Sequence, residues 1–317
     1  MTDITFPKDL RVRPASRDDA QAIIDINIQH ELAETGRTES TVNDVLELWD
    51  SERVVLATDT HVITTQSGEL IGYTGVAATD RGIMLDVHTT VHLSYREQPS
   101  ITAYLHQFVE ERARSLCAEN PTLLRQLYTW SSTPSTRQSL EQDGYIVESS
   151  DYRMEITFTD APPTPQQLQG ITVRPFIAGK EERAVYDVIA QAFPDIDGKP
   201  YRPFEEWYES VFEKSTSFEP SMLYVALVDS QIVGTILCRI YPEDAAGYIW
   251  QVAVLRRQRG RGIARQLLLT AFEEYYRRGI RRVELSVDSE SQTGSHQLYA
   301  KVGMSKRFQV DEMVKML

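Results

Sequence analysis

The chain has 317 residues, 41% hydrophobic and 25% charged, and a formal net charge of −13. That length fits two domains of about 150 residues, each able to bury its own core, and the acidity argues against a nucleic-acid binder, because neutralising phosphates takes basic surface. No apolar run reaches the 18 or so residues of a membrane span and the opening MTDITFPKDL lacks a basic and an apolar leader region, so the expectation is a cytoplasmic protein with no membrane partner.

In chain order, LRVRP reads as a strand and SRDDAQAIIDINIQHELAE as a capped helix, with Ser16 followed three residues later by Asp19. A second helix is expected near Val42–Trp49. Alternating β-rich segments follow at Arg53–Thr65, Glu69–Ala78 and Gly82–Leu93. A helix over about Ser100–Cys117, a strand at Leu123–Trp130, a helix near Thr136–Gln142 and a strand at Tyr145–Phe158 complete the first half. The second half repeats the order: strand 171–175, helices near 180–193 and 203–214, three strands across 222–255, a long helix over about 261–278, strand 282–287, helix 294–302 and strand 306–316.

The repeat is visible in the residues themselves. Val12-Arg13-Pro14 returns as Val173-Arg174-Pro175, Gly72 answers Gly234, Val91 answers Val254 and Gly144 answers Gly303, each at a shift near 160 positions. Between the copies, Thr159 to Gln167 carries three prolines among polar residues, which rule out regular structure. The expected division is 1–158, a linker at 159–169, and 170–317. Each copy is an α/β (α+β) unit with a mixed, largely antiparallel sheet flanked by helices and splayed between its fourth and fifth strands.

The most informative stretch is Tyr248 to Arg278. An unbroken apolar run, Tyr248–Val254, gives way to a helix through an Arg/Gly turn. Gly260 and Gly262 carry no side chains, so backbone N–H groups at the first helical turn can face outward, where the helix dipole adds partial positive charge. Arg256, Arg257, Arg259, Arg261 and Arg265 surround it, which suits a pyrophosphate. A turn of glycines and arginines can also join strand to helix without binding anything. A dinucleotide-binding turn would need a third glycine where Arg265 stands, and more alternating strands and helices than remain after Asp288.

Arg259-x-x-Gly262-x-Ala264 is similar to the Q/R-x-x-G-x-G/A signature of the GNAT superfamily of acyl-CoA N-acyltransferases, and Leu298-Tyr299-Ala300-Lys301-Val302-Gly303-Met304 resembles its L-Y-x-K-x-G-F/M element. The layout is similar to the tandem, mycothiol synthase type of that family, with a degenerate first copy. The resemblance implies acetyl-CoA as donor, a primary amine of a small molecule as acceptor, and direct attack without a covalent enzyme intermediate. It implies that Arg259, Gly260, Arg261, Gly262, Ile263 and Ala264 hold the pyrophosphate, that the backbone of Val252, Ala253 and Val254 pairs with pantetheine, that an N–H near Val252 meets the oxyanion, and that Tyr299 is the general acid. Ser291 stands where many relatives have an asparagine facing the cofactor.

The first copy departs from the pattern. Pro99 replaces Gly262, Ile101 replaces Ala264, Glu97 puts negative charge in the turn and Leu140 aligns with Tyr299, so that copy is expected to be non-catalytic. The base stays open: Tyr248-Ile249-Trp250-Gln251 has no carboxylate, Ser286 occupies another position used by relatives, and Glu243, Asp244 and Asp288 could act through water. Acceptor contacts are expected from Phe193 and Trp207, aromatics beside acids that suit an organic cation or simply pack a core, and from Glu243. Cys117 and Cys238 sit in apolar contexts and the six histidines show no ligand spacing, so no metal is expected. A monomer or homodimer fits equally. A non-catalytic acyl-CoA-binding module is the rival reading, against which the retained Tyr299 argues.

Overall fold

The returning Val-Arg-Pro is explained by a folded-back arginine. In a computed structural model describing residues 6–317 apart from 37, 39, 51–52, 79–83, 195–200, 214–217, 242–244 and 292–293, Arg13 donates to both oxygens of Asp19 at 2.7 and 2.6 Å. The same carboxylate accepts from the N–H and hydroxyl of Ser16 at 2.7 and 2.9 Å, so one acid ties the end of the first strand to the start of the first helix. In the second copy Arg174 grips Glu181 at 2.9 and 2.5 Å, and Glu181 accepts from Ile177 N–H at 2.9 Å.

The chain divides into two compact units, 1–150 with 310–317, and 151–309. The first contains β1 (Leu10–Arg13), α1 (Ala20–Thr35), α2 (Val42–Asp50), α3 (Leu56–Asp59), β2 (Thr60–Thr65), β3 (Leu70–Ala78), β4 (Leu85–Val91), α4 (Pro99–Glu119), β5 (Gln126–Ser131) and α5 (Pro134–Gln142). Strands β1 to β4 form an antiparallel meander, and β5 runs parallel to β4 but pairs with it only at Leu85–Leu127 and Asp86–Tyr128. The sheet then takes in residues Asp311–Met316 of the last strand, antiparallel to β5. Arg53–Thr65 is not all strand: Asp59 accepts from Val55 N–H at 2.6 Å and from Arg112 at 2.7 Å, which winds Leu56–Asp59 into a helical turn before β2.

The second unit begins inside β6 (Ile146–Thr157), whose residues Asp151–Thr157 pair antiparallel with β11 (Arg282–Asp288). It continues with β7 (Thr172–Pro175), α6 (Glu182–Ala192), α7 (Phe204–Tyr208) followed by one π turn at Glu209–Glu213, β8 (Phe218–Val228), β9 (Gln231–Tyr241) and β10 (Ala246–Val254). Then come α8 (Ile263–Arg277), β11, α9 (Ser295–Lys301) and β12 (Ser305–Met316), which passes to the first unit at Val310. Both mixed sheets have the expected class and splay. The boundaries at 158 and 170 need correction, because strand pairing sends 151–157 to the second sheet and 311–316 to the first. Residues 161–168 have no helix or strand.

One continuous core fills the second unit, with Trp207, Phe272 and Tyr275 among its fully buried side chains. Gly247 shapes it: a Cβ there would overlap the Tyr275 ring. The bare backbone lets Tyr275 donate to Arg239 O and Tyr248 O at 2.9 and 3.0 Å, fastening α8 across β9 and β10.

Candidate active site

The site is built on an unpaired stretch of β10. Its parallel pairing with β11 runs through Ala246–Arg282, Gly247–Val283 and Tyr248–Glu284 and stops there. On its other side β10 pairs with β9 to Val254–Gly234, with an irregularity between Ile249 and Gln251, and Leu255 N–H continues the ladder to Val233 O at 2.9 Å. Antiparallel hydrogen bonding alternates, so Leu255, Ala253 and Gln251 direct their backbone groups to β9, and Val254 and Val252 direct theirs into the splay. Of the three residues expected along pantetheine, Ala253 is therefore corrected: its N–H and C=O face the ladder. Val252 directs both its N–H and C=O into the gap, whereas the Val254 C=O is taken by the turn that follows.

The turn that follows is tied down by Arg259. Its Nε donates to Val254 O at 3.1 Å and Nη2 to Ala192 O at 3.3 Å, so the guanidinium joins the end of β10 to the end of α6. Its side chain thus holds the turn that carries the expected pyrophosphate-binding residues. Gly260 and Gly262 adopt φ of 77° and 82°, the left-handed region that disfavours a side chain. Gly262 is the N-cap of α8, and Gln266 is the first N–H with a helical partner, Gly262 O at 2.9 Å. The N–H groups of Ile263, Ala264 and Arg265 are thus left without helical acceptors at the positive end of the dipole. A Cβ on Gly260 would meet nothing within 4 Å. Arg257, Arg261 and Arg265 are exposed around this opening, and Arg261 also bonds Gln258. Open amides, bare glycines and guanidinium groups fit a diphosphate.

Tyr299 is 8% exposed on α9, and burial, then Tyr248, push its phenol up to about 12. It therefore stays protonated throughout the neutral range. It thus lies in the electrostatic reach of Tyr248, the last residue of β10 that pairs with β11. Tyr248 accepts from Arg153 at 3.0 Å, and the same Arg153 nitrogen bonds Ser286. Arg153 comes from β6, ahead of the linker, and nothing along the sequence pointed to it.

The other expected residues are placed as follows. Ser291 is buried, with its hydroxyl 2.8 Å from that of Ser295 and its carbonyl accepting from Gly294, so it organises the turn before α9. Asp288 accepts from the N–H groups of Glu290 and Ser291, a turn-forming role. Trp207 is fully buried among Tyr186, Phe204 and Phe212 and donates to Gln251 at 3.4 Å, which corrects its assignment from acceptor contact to core. Phe193 is half-buried beside Tyr201, whose hydroxyl accepts from Gln251 at 2.5 Å. Glu243, like Asp244 and residues 195–197, lies outside the described residues. Burial pushes the Cys238 thiol up to about 12, which makes it a poor nucleophile. No group of three or more potential metal ligands occurs among the described residues, and no described helix is long and apolar enough to cross a membrane.

The Acetyltransferase (GNAT) family model matches residues 183–304. A solved GCN5-related N-acetyltransferase from Sphaerobacter thermophilus is 30% identical and superposes with a TM-score of 0.80 over 98% of this chain and 96% of its own. A mycothiol acetyltransferase of Cellulomonas flavigena is 26% identical over 314 residues, 92% of this chain and 84% of that protein. A tandem GNAT protein from the clavulanic acid biosynthesis pathway shares the fold at 13% identity and a TM-score of 0.66, covering 96% and 98% of the two chains. Identity at that level across nearly all of the Sphaerobacter enzyme means that this chain belongs to the GCN5-related N-acetyltransferase (GNAT) family, acyltransferases that carry an acetyl group from acetyl-CoA to an amine.

Proposed function

We propose that the second unit acetylates the primary amine of a small molecule with acetyl-CoA, and that the first unit has no such site. The observation that carries this reading is the open edge of β10 between Tyr248 and Val254. It leads from the bare amides of α8 to the region of Tyr299. The N–H groups of Ile263 to Arg265 hold the diphosphate, and Val252 offers backbone N–H and C=O to the pantetheine arm and to the developing oxyanion. Tyr299 gives its proton to the departing thiolate. Buried Cys238 favours direct attack over an acyl-enzyme. Asp288 is engaged in its turn, so the amine reaches the thioester already neutral or loses its proton to water. Identity to the Cellulomonas protein supports a second reading of the acceptor, the cysteinyl amine of a mycothiol precursor.

The test is acetyl-CoA-dependent thiol release by the full chain across a panel of amines, with Tyr299→Phe alongside. Loss of the acid is expected to lower kcat by about 10²- to 10⁴-fold while calorimetric affinity for acetyl-CoA stays near wild type. Undiminished turnover in the variant would sink the mechanism.

A further inference from the structure

The sheet face beside the open edge is basic in a chain that is strongly acidic. Antiparallel partners share a face, so Arg239 of β9 stands beside Tyr248 of β10, and Arg153 of β6 beside Ser286 of β11. The Arg239 guanidinium lies 3.7 Å from the centre of the Trp250 ring. Arg202 is 5.9 Å from that ring and 5.8 Å from Tyr201. Arg153 reaches the Tyr248 hydroxyl at 3.0 Å. The carboxylates on this face have their own arginines: Glu284 is 3.1 Å from Arg282, and Glu155 is 4.0 Å from Arg307. Among the described residues, Arg153, Arg202 and Arg239 have no carboxylate within ion-pair distance. The Nε groups of Arg153 and Arg239 are buried without any hydrogen-bond acceptor.

A buried guanidinium donor with no acceptor costs free energy, and cationic groups without counter-charge repel one another. The contacts with Tyr248, Trp250 and Tyr201 hold these side chains in place but match neither their charge nor the two buried Nε donors. A ligand oxygen anion supplies the missing acceptor and the missing charge together, and the guanidinium fork matches carboxylate and phosphate geometry. We infer that the acceptor amine also carries an anionic oxygen group, a carboxylate or a phosphate, held by Arg153, Arg239 and Arg202. This rests on the reading of β10 as the acetyl-transfer edge.

The same charges bear on the missing base. Positive charge near an ammonium favours its neutral form, so the arginines promote loss of its proton on an edge where, among the described residues, Glu284 and Glu155 already face their own arginines. A simple cationic amine would be repelled by them. An amine with its own anion is attracted through that group and deprotonated at the other.

The experiment uses the full chain and two matched pairs of amines: L-alanine against L-alaninamide, and glucosamine 6-phosphate against glucosamine. Thiol release gives kcat/KM for each, and calorimetry on the CoA-loaded protein gives binding whether or not a probe turns over. The anionic member of at least one pair is expected to lead by about 10- to 100-fold, and the pair that does so separates carboxylate from phosphate. Arg239→Gln should cut that ratio by at least about tenfold, and Arg239→Lys, which keeps charge but not the fork, should restore part of it. Equal or weaker binding of both anionic members, or a ratio indifferent to Arg239, would overturn the inference even if neutral amines are acetylated. Failure of all amines to release thiol would instead count against acetyl transfer, with the calorimetric ratio still deciding the anion site.

Discussion

In the second unit the last carbonyl of the splayed edge, Val254 O, is held by Arg259 from the turn immediately after it; in the first unit the corresponding carbonyl, Val91 O, is held by His30 of α1 at 2.7 Å. On the function proposed above, that difference separates a splay that admits pantetheine from one that does not. Arg259 secures the turn and leaves the backbone of Val252 directed into the splay, whereas α1 brings His30 onto β4 and Asn27 to within 3.1 Å of half-buried His88. The helix that follows differs in the same sense. α8 opens on Gly262 with free amides, but α4 opens on Pro99, which has no N–H to offer an anion. Two copies of one backbone frame thus differ in a capping side chain and one donor, with little change in topology.

The largest effect should come from cutting the chain where the sequence alone would cut it. A fragment of residues 159–317 lacks β6, leaving Arg282–Asp288 as an unpaired edge and removing Arg153 from beside Tyr248. It is expected to aggregate and to show no thiol release, while 151–309 should elute closer to a folded monomer in size-exclusion chromatography. A monodisperse, active 159–317 would show that the strand exchange is dispensable.

A smaller effect is expected at the anion turn. Gly262→Ala places a side chain at φ 82°; its Cβ would meet only Leu168 at 3.6 Å, so the cost is backbone strain of about 1–2 kcal/mol, not a clash. Thermal denaturation should show a loss of that order, and calorimetry should show weakened acetyl-CoA binding. Wild type should bind one acetyl-CoA per chain. A second equivalent, or a variant with unaltered affinity, would erase the distinction between the two turns.

The smallest effect should be at the feature the units share. Arg13→Ala and Arg174→Ala each remove a partly exposed arginine–carboxylate grip, worth about 1 kcal/mol after solvent screening. Arg174 holds the Glu181 carboxyl below its ordinary range. For Asp19, burial pushes upward but bonds from Arg13 and Ser16 outweigh it, and the net direction is down. A depressed carboxyl contributes stability above its unfolded value and loses it as pH falls through the folded one. The gap between wild type and either variant in urea midpoint should therefore be present at pH 7 and shrink at acidic pH. A gap that persists there would mean packing, not charge, sets the start of each unit.

Much of the frame of the candidate site was legible in short stretches. The apolar run into Arg259-x-x-Gly262-x-Ala264 became strand, left-handed turn and helix, because glycine preference and helical periodicity act within a few residues. Tyr299, the proposed acid, was singled out by its motif. Trp207 could not be sorted between ligand and core, since aromatics at helical spacing look alike until their neighbours are known. Nor could Ala253 be separated from Val252, because the parity of hydrogen bonding depends on the register with β9. One signal was available and passed over: Arg239, a lone cation in the apolar strand QIVGTILCRIY, already asked for a partner.

By itself the sequence determined most of the strands and helices, the irregular segment after Thr159, the duplicated order and the glycine turn before α8, all set by propensity and patterning over short distances. Tertiary structure decided which strand completes which sheet, and so brought Arg153 from before the linker to Tyr248 on β10 beyond it. Alternation of apolar residues announces a strand and its inward face but not its neighbour. The neighbour is chosen by pairing between segments more than 100 residues apart, β6 with β11 and β12 with β5, where chain connectivity and burial act together.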